Sequence, residues 1–238
     1  MPTALVTGAS RGFGRALADA LARRGWDLIV DARDGFALNE AAAELVRHGP
    51  VVAVAGDLVD PAHRTALTEA VRDVDGIDLL VHNASTLGAS PLPPLDRVTP
   101  EVLERTYAVN LFAPVALTQA LAPHLRAGAT VVAVTSDAAV EPYTGWGAYG
   151  GSKAALEHTF AIWAAERPDL TILVVDPGDM RTRMHQDAFP DEDISDRPLP
   201  EERVPGLLAL LERDAPSGRH RLADTLADTL ADELAGAR

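Results

Sequence analysis

Six short runs of branched apolar residues recur along the chain, and each is followed by a segment with helical spacing. They are TALVT (3–7), DLIVD (27–31), VVAVAG (51–56), DLLVHN (78–83), TVVAVTS (130–136) and TILVVDPG (171–178). None alternates with polar residues. A strand that is apolar on both sides must be covered on both sides, which is the condition of a parallel sheet with helices on each face. In GRALADALARRG (14–25), Leu17, Ala18, Ala20 and Leu21 suit one helical face and Gly25 supplies the stop. Thr99 before Pro100 reads as a cap with proline at the first helical position. The alternation runs nearly the whole length without a linker. The expected fold is therefore α/β, a doubly wound and mostly parallel sheet in a single domain spanning 1–238.

One stretch breaks the pattern. Residues 183–205 are charged and interrupted by Pro190, Pro198, Pro200 and Pro205. They read as a surface loop, or as a lid over a site, since long loops in compact domains are disproportionately functional. Leucines at 222, 226, 230 and 234 predict an amphipathic C-terminal helix over 222–235.

Charge and composition exclude several classes. A formal net charge of −14 lacks the basic footprint that nucleic acid or an anionic membrane surface requires. With no cysteine, disulfides, thiolate nucleophiles and cysteine metal sites are ruled out. The seven histidines show no metal-ligand spacing. MPTALVTG lacks the basic start of a signal peptide, and no apolar run reaches membrane-spanning length, so a cytoplasmic protein is expected.

Two motifs carry chemistry. TGASRGFG (7–14) sits between the first strand and first helix, with Gly8, Gly12 and Gly14 in the pattern G-x-x-x-G-x-G. Glycines there allow a tight turn, close approach of backbone to a pyrophosphate, and helix–strand contact, while the helix N-terminus offers N–H groups to an anion. Arg11 in this turn and Arg33 after the second strand would together suit a ribose 2′-phosphate. Asp31 argues the other way, as an acceptor for a free 2′-hydroxyl. The second motif is YGGSK (149–153). A four-residue spacing puts Tyr149 and Lys153 on one helical face, either as simple packing or as a phenol tuned by an ammonium.

Taken in order, these and five further motifs resemble the short-chain dehydrogenase/reductase family in its compact single-domain form, over roughly residues 3–182. The resemblance implies a Rossmann fold. It implies cofactor contacts from Gly8, Ser10, Arg11, Gly12, Phe13 and Gly14 in the turn, and from Asp57 and Leu58 in GDL (56–58). HNAS (82–85) adds Asn83 and Ala84, and DPGDMRT (176–182) adds Pro177, Gly178 and Thr182, the last on the nicotinamide carboxamide. YAVN (107–110) gives Asn110 and VTS (134–136) gives Ser136, thirteen residues before Tyr149. The implied catalytic set is Asn110, Ser136, Tyr149 and Lys153, with Tyr149 and Lys153 also touching the cofactor. The family slot that separates NAD from NADP users is Ala32, followed by Arg33, and no carboxylate fills it; NADPH is expected over NADH. Ser85 stands where the family has glycine, with a tightened turn as its expected effect. The tail lacks the family's glycine-rich ending, although SGRHRL (217–222) suits a short final strand.

The resemblance implies an NADP(H)-dependent oxidoreductase interconverting a small-molecule carbonyl and alcohol. Tyr149 would transfer the proton, with Lys153 and the oxidised nicotinamide both favouring phenolate. Ser136 would hold the substrate oxygen, Asn110 would link Lys153 to solvent through water, and Lys153 would hold the nicotinamide ribose. A homo-dimer or homo-tetramer is expected through the helix containing 154–165. Tyr143, Trp146, Met184 and Phe189 are candidates for the substrate wall. His82 is expected to pack beside the cofactor turn, and Ser152 is a weaker nucleophile candidate than Ser136. The competing readings are a non-catalytic dinucleotide sensor, and an epimerase or dehydratase using the same tyrosine.

Overall fold

The computed structural model describes residues 1–227. Seven parallel strands form one sheet: β1 (Thr3–Val6), β2 (Asp27–Ala32), β3 (Val51–Ala55), β4 (Ile77–His82), β5 (Leu125–Val134), β6 (Thr171–Asp176) and β7 (Gly218–Arg221). Their spatial order is β3-β2-β1-β4-β5-β6-β7. β1 lies between β2 and β4, with Leu5 opposite Ile29 on one side and Leu80 on the other. The order reverses at β1, so crossovers leave to opposite faces there and a crevice opens at the carboxyl ends of β1 and β4.

Two apolar cores cover the two faces, as the non-alternating strands require. One packs Leu17, Leu21, Leu38 and Leu207 on Ala4, Val6, Val30 and Val81. These side chains come from α1 (Gly12–Ala22), α2 (Gly35–Leu45) and α8 (Pro200–Glu212). The other packs Leu67, Leu117, Leu156 and Phe160 on Leu5, Ile29, Leu80 and Val131, from α3 (Pro61–Asp73), α5 (Ala113–Leu121) and α6 (Gly147–Glu166). β3 is an edge strand, and its Val52 is exposed.

Helix starts follow local chemistry. Asp34 accepts from Ala37 N–H at 3.1 Å to cap α2, and Asp60 accepts from Ala62 N–H at 2.9 Å to cap α3. Thr99 accepts from Val102 N–H at 3.4 Å before Pro100 to cap α4 (Pro100–Tyr107). These side chains satisfy N–H groups that the helix itself leaves unpaired. α1 starts at Gly12, two residues ahead of the expected segment, and has no side-chain cap. Gly25 ends that unit at φ +80°, a conformation only glycine adopts cheaply.

The stretch 183–205 is not an open loop. It contains α7 (Arg183–Ala188), a turn, and the first residues of α8. Pro200 takes the first helical position, where a missing N–H costs nothing. Pro205 falls within α8 on its exposed side. The short final strand over 218–221 does form, parallel to β6. Of the helix expected over 222–235, residues 222–227 are helical and the remainder lies outside the described residues. No described helix is long and apolar enough to cross a membrane.

Candidate active site

At the crevice lies a cleft of about 1130 Å³, lined from the β1–α1 turn, the ends of β2, β4, β5 and β6, and helices α6 and α7. The glycine turn forms its upper wall. Gly8 and Gly12 hold φ of +66° and +58°. A Cβ on Gly8 would stand 2.9 Å from the Ala84 Cα, and one on Gly14 would stand 2.3 Å from Asn83 Nδ2. Those contacts explain two of the three glycines: they let β4's end lie against the turn. Asn83 then locks it, donating through Nδ2 to the carbonyls of Thr7 at 2.9 Å and Gly8 at 3.1 Å. Thr7 Oγ1 accepts from Asn83 and Ala84 N–H. Gly12 faces Thr182, whose Cγ2 a Cβ there would meet at 3.6 Å.

The uncapped start of α1 faces this space. Its N–H groups and dipole end are left for an anion, whereas α2, α3 and α4 spend theirs on side chains. Ser10, Arg11 and Phe13 line the cleft with it; Phe13 is also buried in the core. Arg33 lines the far end, beside Asp57 and Leu58. Asp31 is buried and fully engaged: Oδ1 accepts from Gly8 N–H at 3.1 Å and Oδ2 pairs with His63 Nε2 at 2.7 Å. It braces the turn from below. Asp57 is held by Arg105 from α4 at 2.5 Å and by Val59 N–H. Burial is the largest influence and would raise this carboxyl, but the hydrogen bonds from Arg105 and Val59 N–H and the charges of Arg105 and Arg33 together give a net lowering.

Ser136, Tyr149 and Lys153 meet at the cleft floor, and buried Asn110 joins them through Ser152. Asn110 sits in a π-helical turn, Ala108–Phe112, between α4 and α5; such turns are frequent at functional sites. Its amide is consumed by protein. Oδ1 accepts from Thr86 N–H at 2.9 Å and Ser85 Oγ at 3.1 Å, and Nδ2 donates to Thr86 O and Ser152 Oγ, each at 2.9 Å. Ser152 in turn donates to Tyr149 O at 2.7 Å, so it is a structural link and not a nucleophile. Lys153 is 2% exposed and donates to Val134 O at 2.8 Å. Its nitrogen lies 5.7 Å from the Tyr149 ring centroid.

In the chain itself the Tyr149 phenol moves opposite to the expected lowering. Burial pushes it up to about 12; the hydroxyls of Ser136 and Ser85 act against that, and the charges of Asp137 and Asp176 act with it. Burial also brings Lys153 down to about 8, with Glu157 opposing. Ser85, Asp137 and Asp176 are therefore neighbours that act on the phenol besides the four expected catalytic side chains. Ser85 had a signal, a hydroxyl in a glycine slot. Asp137 directly follows Ser136 and gave none on its own.

Tyr149 packs in a small apolar cluster with Leu87, Leu92, Trp146, Met184, Ala188 and Phe189. Trp146 and Met184 line the cleft; Phe189 backs Trp146 at 5.8 Å between ring centroids. Tyr143 is half exposed and hydrogen-bonds Asp137. Thr182 caps α7, accepting from His185 N–H at 3.1 Å, and Pro177 and Gly178 lead into it. Ser90 Oγ donates to Asp187 O at 2.6 Å, fastening the 86–98 segment to α7 across the cleft mouth. His82 does not pack beside the turn. It points to the other face of the sheet, pairing with Thr118 Oγ1 at 2.8 Å and meeting Phe160 edge-on at 5.4 Å, because residues of a strand alternate faces and Val81 occupies the turn side.

Under the floor, Asp176 is 2% exposed. It accepts from Gly178 N–H at 2.9 Å and from Arg219 of β7 at 2.9 Å. Arg219 also reaches Glu157 of α6 at 3.1 Å, and Glu157 accepts from Thr135 Oγ1 at 2.7 Å.

A family model described as short chain dehydrogenase matches residues 2–193. Sepiapterin reductase from Mus musculus is 36% identical over 197 residues, covering 76% of this chain and 76% of its own. A short chain dehydrogenase from Shigella flexneri 2a, solved in complex with NADP, superposes with a TM-score of 0.85 at 28% identity, covering 92% of this chain and 95% of that one. An alcohol dehydrogenase from Thermococcus sibiricus, solved with 5-hydroxy-NADP, gives 0.83 at 26% identity, covering 93% and 95%.

Proposed function

The chain belongs to the short-chain dehydrogenase family, and from that premise we propose that it interconverts a carbonyl and an alcohol with NADP(H), using Tyr149 as the general acid/base. The observation that carries this reading is the buried Tyr149 hydroxyl, flanked by Ser136 and Ser85, at the floor of a cleft whose far wall is an uncapped helix start. The nicotinamide, when bound, supplies the hydride.

The protein's own residues do the rest. A phenol held near 12 keeps its proton through neutral pH and is loaded as donor for an incipient alkoxide. Ser136 holds the carbonyl oxygen. Ser85 supports the phenolate that remains by turning its proton to it from Asn110 Oδ1. Lys153 positions the ribose and adds positive charge beside the phenol. Asn110 acts through Ser85 and Thr86, fixing the loop that carries Ser85. Gly8, Ser10, Arg11, Gly12, Phe13 and Gly14 would hold the pyrophosphate. Asp57 and Leu58 would take the adenine end, Asn83 and Ala84 the middle, and Pro177, Gly178 and Thr182 the carboxamide.

NADPH over NADH rests on Arg33 and Arg11 at the ribose end and on Asp31 being spent on Gly8 and His63. The names of the relatives, a reductase and an alcohol dehydrogenase, support the reaction class. A homo-dimer or homo-tetramer belongs to the same reading, supported by Ile162, 48% exposed on α6. A sensor role has no such support, since all four reacting side chains are retained.

The test is NADPH oxidation against a panel of aldehydes and ketones, with NADH alongside. Tyr149→Phe is expected to cut turnover by about 10²–10⁴-fold with NADPH binding kept. Arg33→Ala is expected to lower the NADPH-to-NADH ratio of kcat/KM by about tenfold to a hundredfold, the worth of a charge-assisted hydrogen bond. No binding of either dinucleotide refutes the reading.

A further inference from the structure

Asp137 opens the 3-10 turn Asp137–Ala139 directly after Ser136 and lines the cleft. Its Oδ1 accepts from Ser136 Oγ at 2.9 Å and from Ala138 N–H at 2.8 Å. Its Oδ2 accepts from Tyr143 Oη at 3.0 Å. A carboxylate offers about four acceptor positions; three are taken, and the fourth is on Oδ2. The other acidic groups near the floor are matched. Asp176 has Arg219, and Asp179 has His185 and Arg197. Lys153 is turned to Val134 O, and no described lysine or arginine forms an ion pair with Asp137. A negative charge therefore sits beside the hydroxyl that receives the substrate oxygen, with hydrogen-bond capacity left.

Resting on the oxidoreductase reading, we propose that Asp137 selects carbonyl compounds bearing a hydroxyl or ammonium group on the adjacent carbon, taking that donor while Ser136 takes the carbonyl oxygen. The 2.9 Å between Ser136 Oγ and Asp137 Oδ1 is close to the spacing of the two oxygens in a vicinal hydroxy ketone. The same contact couples binding to chemistry. A Ser136 hydroxyl that donates to Asp137 cannot donate to the substrate. A substrate hydroxyl that takes over the Oδ1 position held by Ser136 returns the serine proton to the carbonyl. A plain ketone leaves the serine engaged, and a keto acid brings its own charge against Asp137. Leu87, Trp146 and Met184 provide an apolar seat for the rest of the molecule.

The probes are acetophenone, 2-hydroxyacetophenone and phenylglyoxylate, with NADPH. The wild-type kcat/KM is expected to favour the hydroxy ketone over acetophenone by about tenfold to a hundredfold, with phenylglyoxylate lowest. In Asp137→Asn the hydroxy-ketone preference should shrink severalfold and phenylglyoxylate should gain. Tyr143→Phe, which removes only the internal competitor on Oδ2, should keep or widen the preference. A wild-type ratio near one overturns the proposal, as does a ratio that Asp137→Asn leaves unchanged. If Asp137→Asn does not fold, the wild-type and Tyr143→Phe ratios decide. NADPH binding, read by quenching of tryptophan fluorescence, with no turnover of any of the three ketones overturns this proposal alone. Absence of NADPH binding overturns the oxidoreductase reading itself.

Discussion

His82 makes the fold sensitive to acid in a way that one substitution can isolate. Burial holds its imidazole down at about 3 from the ordinary 6.5, with Lys153 adding to the effect. An unfolded chain binds the imidazole proton near ~6.5. The folded value is depressed, so this group's contribution is complete above the unfolded value and is lost as pH falls toward the folded one. Between pH 7 and 5 the unfolded state gains about 0.7 of a proton and the folded state almost none. Linkage then gives a loss of about 2 kcal/mol, growing to about 4 kcal/mol near pH 3. At pH 5 the folded value hardly enters, provided it lies well below 5. His82→Gln keeps an N–H near the Nε2 position for Thr118 and cannot take up the proton. Urea unfolding of both proteins at pH 7 and pH 5 cancels the carboxylates they share. The wild type should lose about 2 kcal/mol more than the variant. Parallel losses would refute a buried, neutral His82.

Gly14→Ala places a methyl 2.3 Å from Asn83 Nδ2 and 2.6 Å from Gly8 O. Overpacking there should cost about 1–3 kcal/mol in urea unfolding and weaken NADPH binding in fluorescence titration. Arg219→Met leaves Asp176 buried with Gly178 N–H and the longer 3.9 Å contact to Arg221, and should lower stability by about 1–3 kcal/mol. Adding Asp176→Asn should recover most of that loss, which a double-mutant cycle measures directly.

The sheet was legible because every strand from β1 to β6 is apolar on both faces, and nothing else in the chain has that texture. The glycine turn and the Tyr149–Lys153 pair were legible for a related reason: their chemistry is local, fixed by a turn or a helical repeat. What stayed hidden depends on partners far apart in sequence. Asp31 looked free to read a ribose until His63 and Gly8 closed on it. Asp57 looked like a bare adenine contact until Arg105 reached it from α4. Asn110 looked aimed at Lys153, yet its amide is spent on Thr86, Ser85 and Ser152. The 183–205 segment misled because Pro200 takes a first helical position, where proline signals a start, and α8 runs on through Pro205 on its exposed side.

The four residues of β7 give the order of synthesis a chemical meaning. Every motif of the site precedes residue 183, yet Asp176 and Glu157 wait for an arginine at 219. A nascent chain therefore carries all its reacting groups before it carries the counter-charge beneath them. Both arginines that reach Asp176, Arg219 and Arg221, come from that last strand, while the chain up to residue 183 supplies only the Gly178 N–H. The counter-charge beneath the cleft is thus set at the sheet's far edge, by the last strand to be made.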